Sequence, residues 1–129
     1  MANVVRLEHV ALPVTESNFA DTVRFYQENF GWHTIREIGS GASSIAFISD
    51  DAGNALEIYV APGPPMTHPA HIAFAVPIAE YEALKGRLEA AGVAFDINTE
   101  NAAGDKLGYF HDPAGNRAQI VGRHKPLRD

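Results

Sequence analysis

The chain is written twice, and no other feature restricts its fold as much. The segment His9-Val10-Ala11-Leu12-Pro13-Val14 resembles His71-Ile72-Ala73-Phe74-Ala75-Val76. Further on, Asp51-Ala52-Gly53-Asn54-Ala55-Leu56-Glu57-Ile58 resembles Pro113-Ala114-Gly115-Asn116-Arg117-Ala118-Gln119-Ile120. The offset is 62 residues for His9 and His71, for Asn54 and Asn116, and for Glu57 and Gln119. Each half therefore sets its histidine 48 residues ahead of its Glu or Gln. Two separated matches at one offset identify a duplicated module, so any fold proposed for one half must serve the other.

Each half reads as strand, helix, then three strands. In the first, Val4 to Pro13 alternates as a strand that Pro13 closes. Phe19, Thr22, Val23, Tyr26 and Phe30 recur at helical spacing, with Gly31 as the stop. Trp32 to Ile38 predicts a strand, and Ser44 to Ser49 with Ala55 to Val60 predicts a hairpin about the turn Asp50 to Asn54. In the second half, His71 to Val76 is a strand, and Tyr81, Leu84 and Leu88 share one face of a helix ending at Gly92. Gly86 inside that helix costs about 1 kcal/mol against alanine. Ala94 to Asn98, Leu107 to His111 and Arg117 to Val121 complete the set, with Asp112 to Asn116 as the second hairpin turn. Pro62, Pro64, Pro65 and Pro69 make the intervening segment a stiff linker that cannot join a sheet centre. The fold class is α+β: two tandem βαβββ modules, about 4–61 and 69–122, within a single domain spanning 1–129.

Composition narrows the function classes. With 129 residues the chain buries enough surface to fold without staples. A net charge of -6 and no local Lys/Arg cluster make nucleic acid and anionic membrane poor partners. The uncharged stretch from Val60 to Ala79 is interrupted by prolines and two histidines, so it is not a spanning helix. Arg6 and Glu8 precede any long apolar run, which is not the shape of a secretory signal. The chain has no cysteine, hence no thiolate nucleophile or Cys-type zinc site, and this is compatible with the cytoplasm.

The six histidines are the informative resource. If the two modules pack with pseudo-twofold symmetry, His9, His71, Glu57 and Gln119 converge from two first strands and two last strands. Imidazole with oxygen donors suits Zn, Ni, Co, Mn or Fe(II), with positions left for water or substrate. A single histidine on a strand is more often packed or exposed than ligating, and Glu57 or Gln119 could be the solvent-facing member of an alternating strand. The shared spacing is what favours ligation, because surface residues have no reason to respect it. His33, His68, His111 and His124 sit in contexts that predict exposure. Ser43, Ser44 and Ser49 lack a nucleophile elbow, and Gly39 to Ser43 precedes a strand rather than a helix, so it is no phosphate loop.

On these residues the chain resembles the vicinal oxygen chelate superfamily, the glyoxalase/bleomycin-resistance/extradiol-dioxygenase group. The resemblance is carried by Leu7 to Val14, Phe25 to Trp32, His71 to Phe74, Leu88 to Val93 and Gly108 to Asn116, and covers roughly 5–122. It implies paired βαβββ modules forming a cupped mixed sheet around a divalent metal, commonly in a homodimer, with ligand positions falling on His9, Glu57, His71 and Gln119. Glyoxalase-type members usually carry a carboxylate where this chain has Gln119; here the carboxylate sits at Glu57 instead. Because the halves are pseudo-symmetric, a His/His/Glu set can form with its handedness exchanged.

A neutral Gln cannot act as a base, so proton abstraction falls to Glu57 or a metal-bound hydroxide. A divalent ion with one carboxylate retains a charge of about +1, which favours an anionic or enediolate-like oxygen pair. The leading expectation is a metal-dependent glyoxalase-like lyase or isomerase acting on a small vicinal-oxygen compound, with Glu57 moving a proton and Gln119 orienting substrate or metal. Two alternatives are an Fe(II) extradiol-type dioxygenase using His9, His71 and Glu57, and a non-catalytic binder of the bleomycin-resistance kind with a groove lined by Trp32, Tyr59 or Tyr109.

Overall fold

The computed structural model describes residues 5–128. The chain divides into two compact units between Pro64 and Pro65, inside the proline-rich linker. In the first, β1 (Val10–Val14) leads through a short 3-10 turn to α1 (Phe19–Phe30), followed by β2 (His33–Ile38), β3 (Ile45–Ser49) and β4 (Ala55–Val60). The second contains β5 (Ile72–Pro77), α2 (Ile78–Ala90), β6 (Ile97–Glu100), β7 (Lys106–His111) and β8 (Arg117–Arg123). Each forms a four-stranded mixed sheet, ordered β1-β4-β3-β2 and β5-β8-β7-β6. In both, the first strand is an edge that pairs parallel with the last, and the remaining pairs are antiparallel. The expected βαβββ order is present twice.

Each helix covers one face of its own sheet. In α1, Thr22, Val23, Phe25, Tyr26 and Asn29 are buried. Its two buried polar side chains turn back onto the helix: Thr22 Oγ1 donates to the Asn18 carbonyl at 2.8 Å and Asn29 Nδ2 to the Phe25 carbonyl at 2.9 Å. Gly31 ends the helix in the left-handed region at φ 69°, its N–H donating to the Gln27 carbonyl. Leu12, Ala46, Ile48, Leu56 and Ile58, one or two from each covered strand, are buried on the helix side. Each fully buried aliphatic side chain contributes about 1.5–3 kcal/mol.

In the second unit Tyr81, Leu84 and Leu88 are the buried face of α2, as their spacing predicts. The Tyr81 ring lies directly on the sheet at two glycines. A Cβ added at Gly122 would stand 2.8 Å from Tyr81 Cβ, and one at Gly108 would stand 2.5 Å from Tyr81 Oη. Burial pushes the Tyr81 hydroxyl above the ordinary tyrosine pKa, with Glu82 and Glu89 adding to the effect.

The strand boundaries shift by one or two residues from the sequence reading at several strands and by more at two. The first strand spans Val10–Val14 rather than Val4 to Pro13; Val4 lies outside the described residues, and Pro13 is inside the strand. Because β1 is an edge strand, and Val14 accepts from Ala61 N–H on its paired side, the missing N–H of Pro13 falls on the unpaired side. The strand expected at Ala94 to Asn98 is found at Ile97–Glu100. Just before it, Phe95 packs on Phe110 with ring centroids 5.3 Å apart, and Asp96 N–H donates to the Tyr109 carbonyl.

The two hairpin turns share a frame. Asp50 Oδ1 accepts from Ala52 and Asn54 N–H, and Asp112 Oδ1 accepts from Ala114 and Asn116 N–H. The second turn also ties down the linker: Met66 N–H donates to Asn116 Oδ1 at 2.8 Å, and Arg117 N–H to the Met66 carbonyl at 2.7 Å.

Candidate functional site

Residues directly opposite in a ladder project to the same sheet face, so strand register decides which side chains can meet. In the first unit Glu57 pairs with Ala11 on β1 and Phe47 on β3, and Phe47 pairs with Arg36 on β2. The helix-side residues Leu56 and Ile58 flank Glu57, so Glu57 occupies the opposite face. His9, just before β1, joins it there. Its Nε2 stands 3.5 Å from Glu57 Oε1, and its ring meets Phe47 edge-on at 5.4 Å.

The second unit reproduces this arrangement at equivalent positions. Gln119 pairs with Ala73 on β5 and Tyr109 on β7, and Tyr109 with Ile97 on β6. His71, just before β5, meets the Tyr109 ring edge-on at 5.3 Å. Phe47 and Tyr109 are themselves 62 residues apart, so the repeat offset contained this third equivalence. Each unit thus presents one imidazole, one side-chain oxygen donor and one aromatic wall on the face away from its helix.

Both imidazoles are held in one orientation. His9 Nδ1 lies 2.9 Å from Glu8 Oε1, and His71 Nδ1 lies 3.0 Å from the Pro69 carbonyl. Either oxygen accepts a hydrogen bond from Nδ1–H, which leaves the Nε2 lone pair of the neutral ring open to a metal. The spacing at Glu57 is consistent with the same use. Two donors about 2.1 Å from one ion at a tetrahedral angle lie about 3.4 Å apart, close to the His9–Glu57 separation. Donor type, tautomer and spacing therefore fit a divalent ion. Among the described residues no group of three or more His, Cys, Asp or Glu side chains is assembled to hold one, and each unit supplies one imidazole and one side-chain oxygen.

The other histidines are exposed, as expected. His33 Nε2 pairs with Asp51 at 3.1 Å, and His124 Nε2 lies 3.2 Å from the Gly104 carbonyl. Sequence reasoning missed Arg117. Its side chain is only 3% exposed, donates from Nη1 to Asp96 Oδ1 at 2.7 Å, and stacks its guanidinium 5.1 Å from the Tyr109 ring centre. The hydrogen bond from Arg117 holds the Asp96 carboxyl below the usual carboxylate range, burial opposing it. Arg117 lies two residues before Gln119 on the same strand, hence on the same face. An unpaired arginine in the sequence gave no sign of this, because only the β7–β8 register brings it onto Tyr109.

The chain matches the family model described as the Glyoxalase/Bleomycin resistance protein/Dioxygenase superfamily over residues 6–120. Among solved structures, it is similar to the fosfomycin resistance protein FosX from Listeria monocytogenes complexed with Mn(II) and sulfate. That match has a TM-score of 0.77 and 22% identity, over 98% of this chain and 97% of the other. It is also similar to the oxidase ChaP-H2, with a TM-score of 0.74 and 22% identity over 94% of this chain and 95% of that one. At that identity these likenesses speak to the fold. Comparison with curated proteins gives no match. Among the described residues no helix is long and apolar enough to cross a membrane. With its family model covering both repeats, the chain belongs to the Glyoxalase/Bleomycin resistance protein/Dioxygenase superfamily.

Proposed function

We propose that this protein is a divalent-metal-dependent lyase or isomerase of the glyoxalase type, acting on a small compound with vicinal oxygens. His9, Glu57, His71 and Gln119 are its metal ligands, and Glu57 is its proton-transfer group. The observation that carries the reading is the pair of imidazoles held through Nδ1 with Nε2 open, the first 3.5 Å from a carboxylate oxygen. A bound divalent ion would supply Lewis-acid polarisation of a substrate carbonyl.

The chain's own residues divide the remaining work. Glu57 ligating through one oxygen keeps the other to take and return a proton. Gln119 is neutral, so it orients and does not titrate. Phe47 and Tyr109 brace the two imidazoles and exclude water from one side of each. One carboxylate against a divalent ion leaves about +1 in the ligand set, which favours an enediolate-like oxygen pair. That FosX was solved with Mn(II) supports a metal role within this fold. The same reading takes the protein as a homodimer. Supporting this, β1 and β5 are edge strands of their sheets.

The test is elemental analysis of protein purified without chelator or polyhistidine tag, beside His9→Ala. Near-stoichiometric Zn, Ni, Co, Mn or Fe in the wild type, lost in the variant, is the expected result. No retained metal after incubation with each ion overturns the reading. Iron together with substrate-dependent oxygen consumption would assign the chain to dioxygenase chemistry instead. Full turnover by a Glu57→Gln protein that still holds metal would remove Glu57 as the base.

A further inference from the structure

On the candidate face of the second unit, Arg117 adds a positive charge that the first unit lacks at the equivalent position. The residue 62 positions earlier is Ala55, which occupies the same place in an equivalent sheet. The fold therefore does not require an arginine there. Its side chain is nonetheless 3% exposed, and among the described residues the guanidinium's one hydrogen bond is from Nη1 to Asp96. The Nε–H is buried with no partner. A guanidinium has two forked edges, and Asp96 engages the Nη1 end. The side-on edge made by Nε and Nη2 is the one Asp96 does not engage, and its two parallel N–H groups match the two oxygens of a carboxylate or phosphate. The stacking of the guanidinium on Tyr109, which also contacts His71 and pairs with Gln119, fixes that edge beside two of the proposed ligands.

We propose that Arg117 receives an oxyanionic group of the substrate on its Nε/Nη2 edge, which makes the substrate class an acid-bearing vicinal-oxygen compound. For the position of the substrate this rests on the metal-site reading; the binding of an oxyanion by Arg117 does not. Asp96 then has a defined part. It is 55% exposed and competes for the same charge, so it holds the guanidinium in place while weakening its pull on a second anion.

The two readings separate if the test is run without metal. Inorganic phosphate is titrated calorimetrically into the full chain in the presence of chelator, for the wild type and for Arg117→Met, Arg117→Lys and Asp96→Asn. The expected result is saturable binding by the wild type, weakened about tenfold or more in Arg117→Met, the loss of one charged hydrogen-bonded contact. Arg117→Lys should recover part of it, as a point charge without the fork, and Asp96→Asn should bind phosphate several-fold more tightly than the wild type. A purely structural arginine predicts no tightening in Asp96→Asn. Should Arg117→Met fail to fold, the Lys and Asn variants decide. Absence of saturable phosphate binding by the wild type overturns the proposal, as does equal binding by the wild type and every folded variant. If phosphate binds as expected but the chain retains no metal, the metal reading falls and the oxyanion site stands.

Discussion

Glu8 touches no proposed ligand atom that would face a metal, yet it holds His9 from behind through a 2.9 Å contact to Nδ1. An acceptor in that position raises the basicity of Nε2 and restricts rotation of the ring. Its loss should weaken metal binding by about tenfold, the low end of the range for such partners, because Glu8 is 75% exposed. Competition with a fluorescent chelator, Glu8→Ala against wild type, measures this; equal affinities would mean that His9 is oriented by its Phe47 contact alone. At this scale the four candidate positions came from the sequence, since the offset of 62 singled out His9, Glu57, His71 and Gln119 together. The supporting atoms were not. A carbonyl such as that of Pro69 has no sequence signature, and Glu8 looks like any surface carboxylate until the tautomer of its neighbour matters.

The elements were predicted best where two signals agreed. Helix α1 carries both a periodic apolar face and a glycine stop, and it ends at Phe30 with Gly31 left-handed. The hairpin turns carry an Asp and an Asn four residues apart, and their side chains close both turns by the same hydrogen bonds. Strand β6 carried one weak signal and was placed three residues early, because Phe95 reads as a strand residue but lies ahead of the strand, half-buried against Phe110. The α2–sheet contact was invisible for a related reason: nothing local marks Gly108 and Gly122 as the seat of the Tyr81 ring. Gly122→Ala should destabilise the protein by about 1–3 kcal/mol, as overpacking does, because the obstructing atoms include Tyr81 Cβ, which moves only with α2. Urea denaturation of the variant tests it. A change below a few tenths of a kcal/mol would show that the helix gives way freely.

At the scale of the whole molecule, the net charge of -6 is distributed so that several carboxylates carry structural work. Asp105 accepts from His124 N–H, Asn101 Nδ2 and Arg123, and these interactions, the His124 backbone bond first, hold its pKa below the ordinary value. Asp96 is lowered chiefly by its hydrogen bond from Arg117. At Asp50 burial pushes upward, but the side chain of Asn54 and the turn amides outweigh it and the net shift is downward. A carboxyl whose folded pKa lies below its unfolded value stabilises the fold fully above the unfolded value, near 4, and loses that contribution as pH falls through the folded one. The melting temperature should therefore hold from neutral pH to about pH 5 and fall progressively below about pH 4. Thermal melts across that range check it, and Asp105→Asn should flatten the acid limb. A wild-type melting temperature unchanged at about pH 3 would mean that these hydrogen bonds add nothing to the fold.

What the sequence determined by itself was the duplication, the order of elements within each half, and the residue types that chemistry would need. Those depend on spacing along the chain, on apolar periodicity and on turn residues, all of which are local or repeat at a fixed interval. The tertiary structure alone decided which side chains share a face and what stands behind them. Parallel pairing of β1 with β4 brings His9 to Glu57 across nearly fifty residues, and pairing of β5 with β8 and of β8 with β7 brings His71 to the Tyr109 wall beside Gln119 across nearly forty. The burial of Arg117 belongs to the same class. A guanidinium loses its hydration and stacks on an aromatic ring only when a neighbouring strand and a carboxylate from another element close around it, and no property of a single segment encodes that meeting.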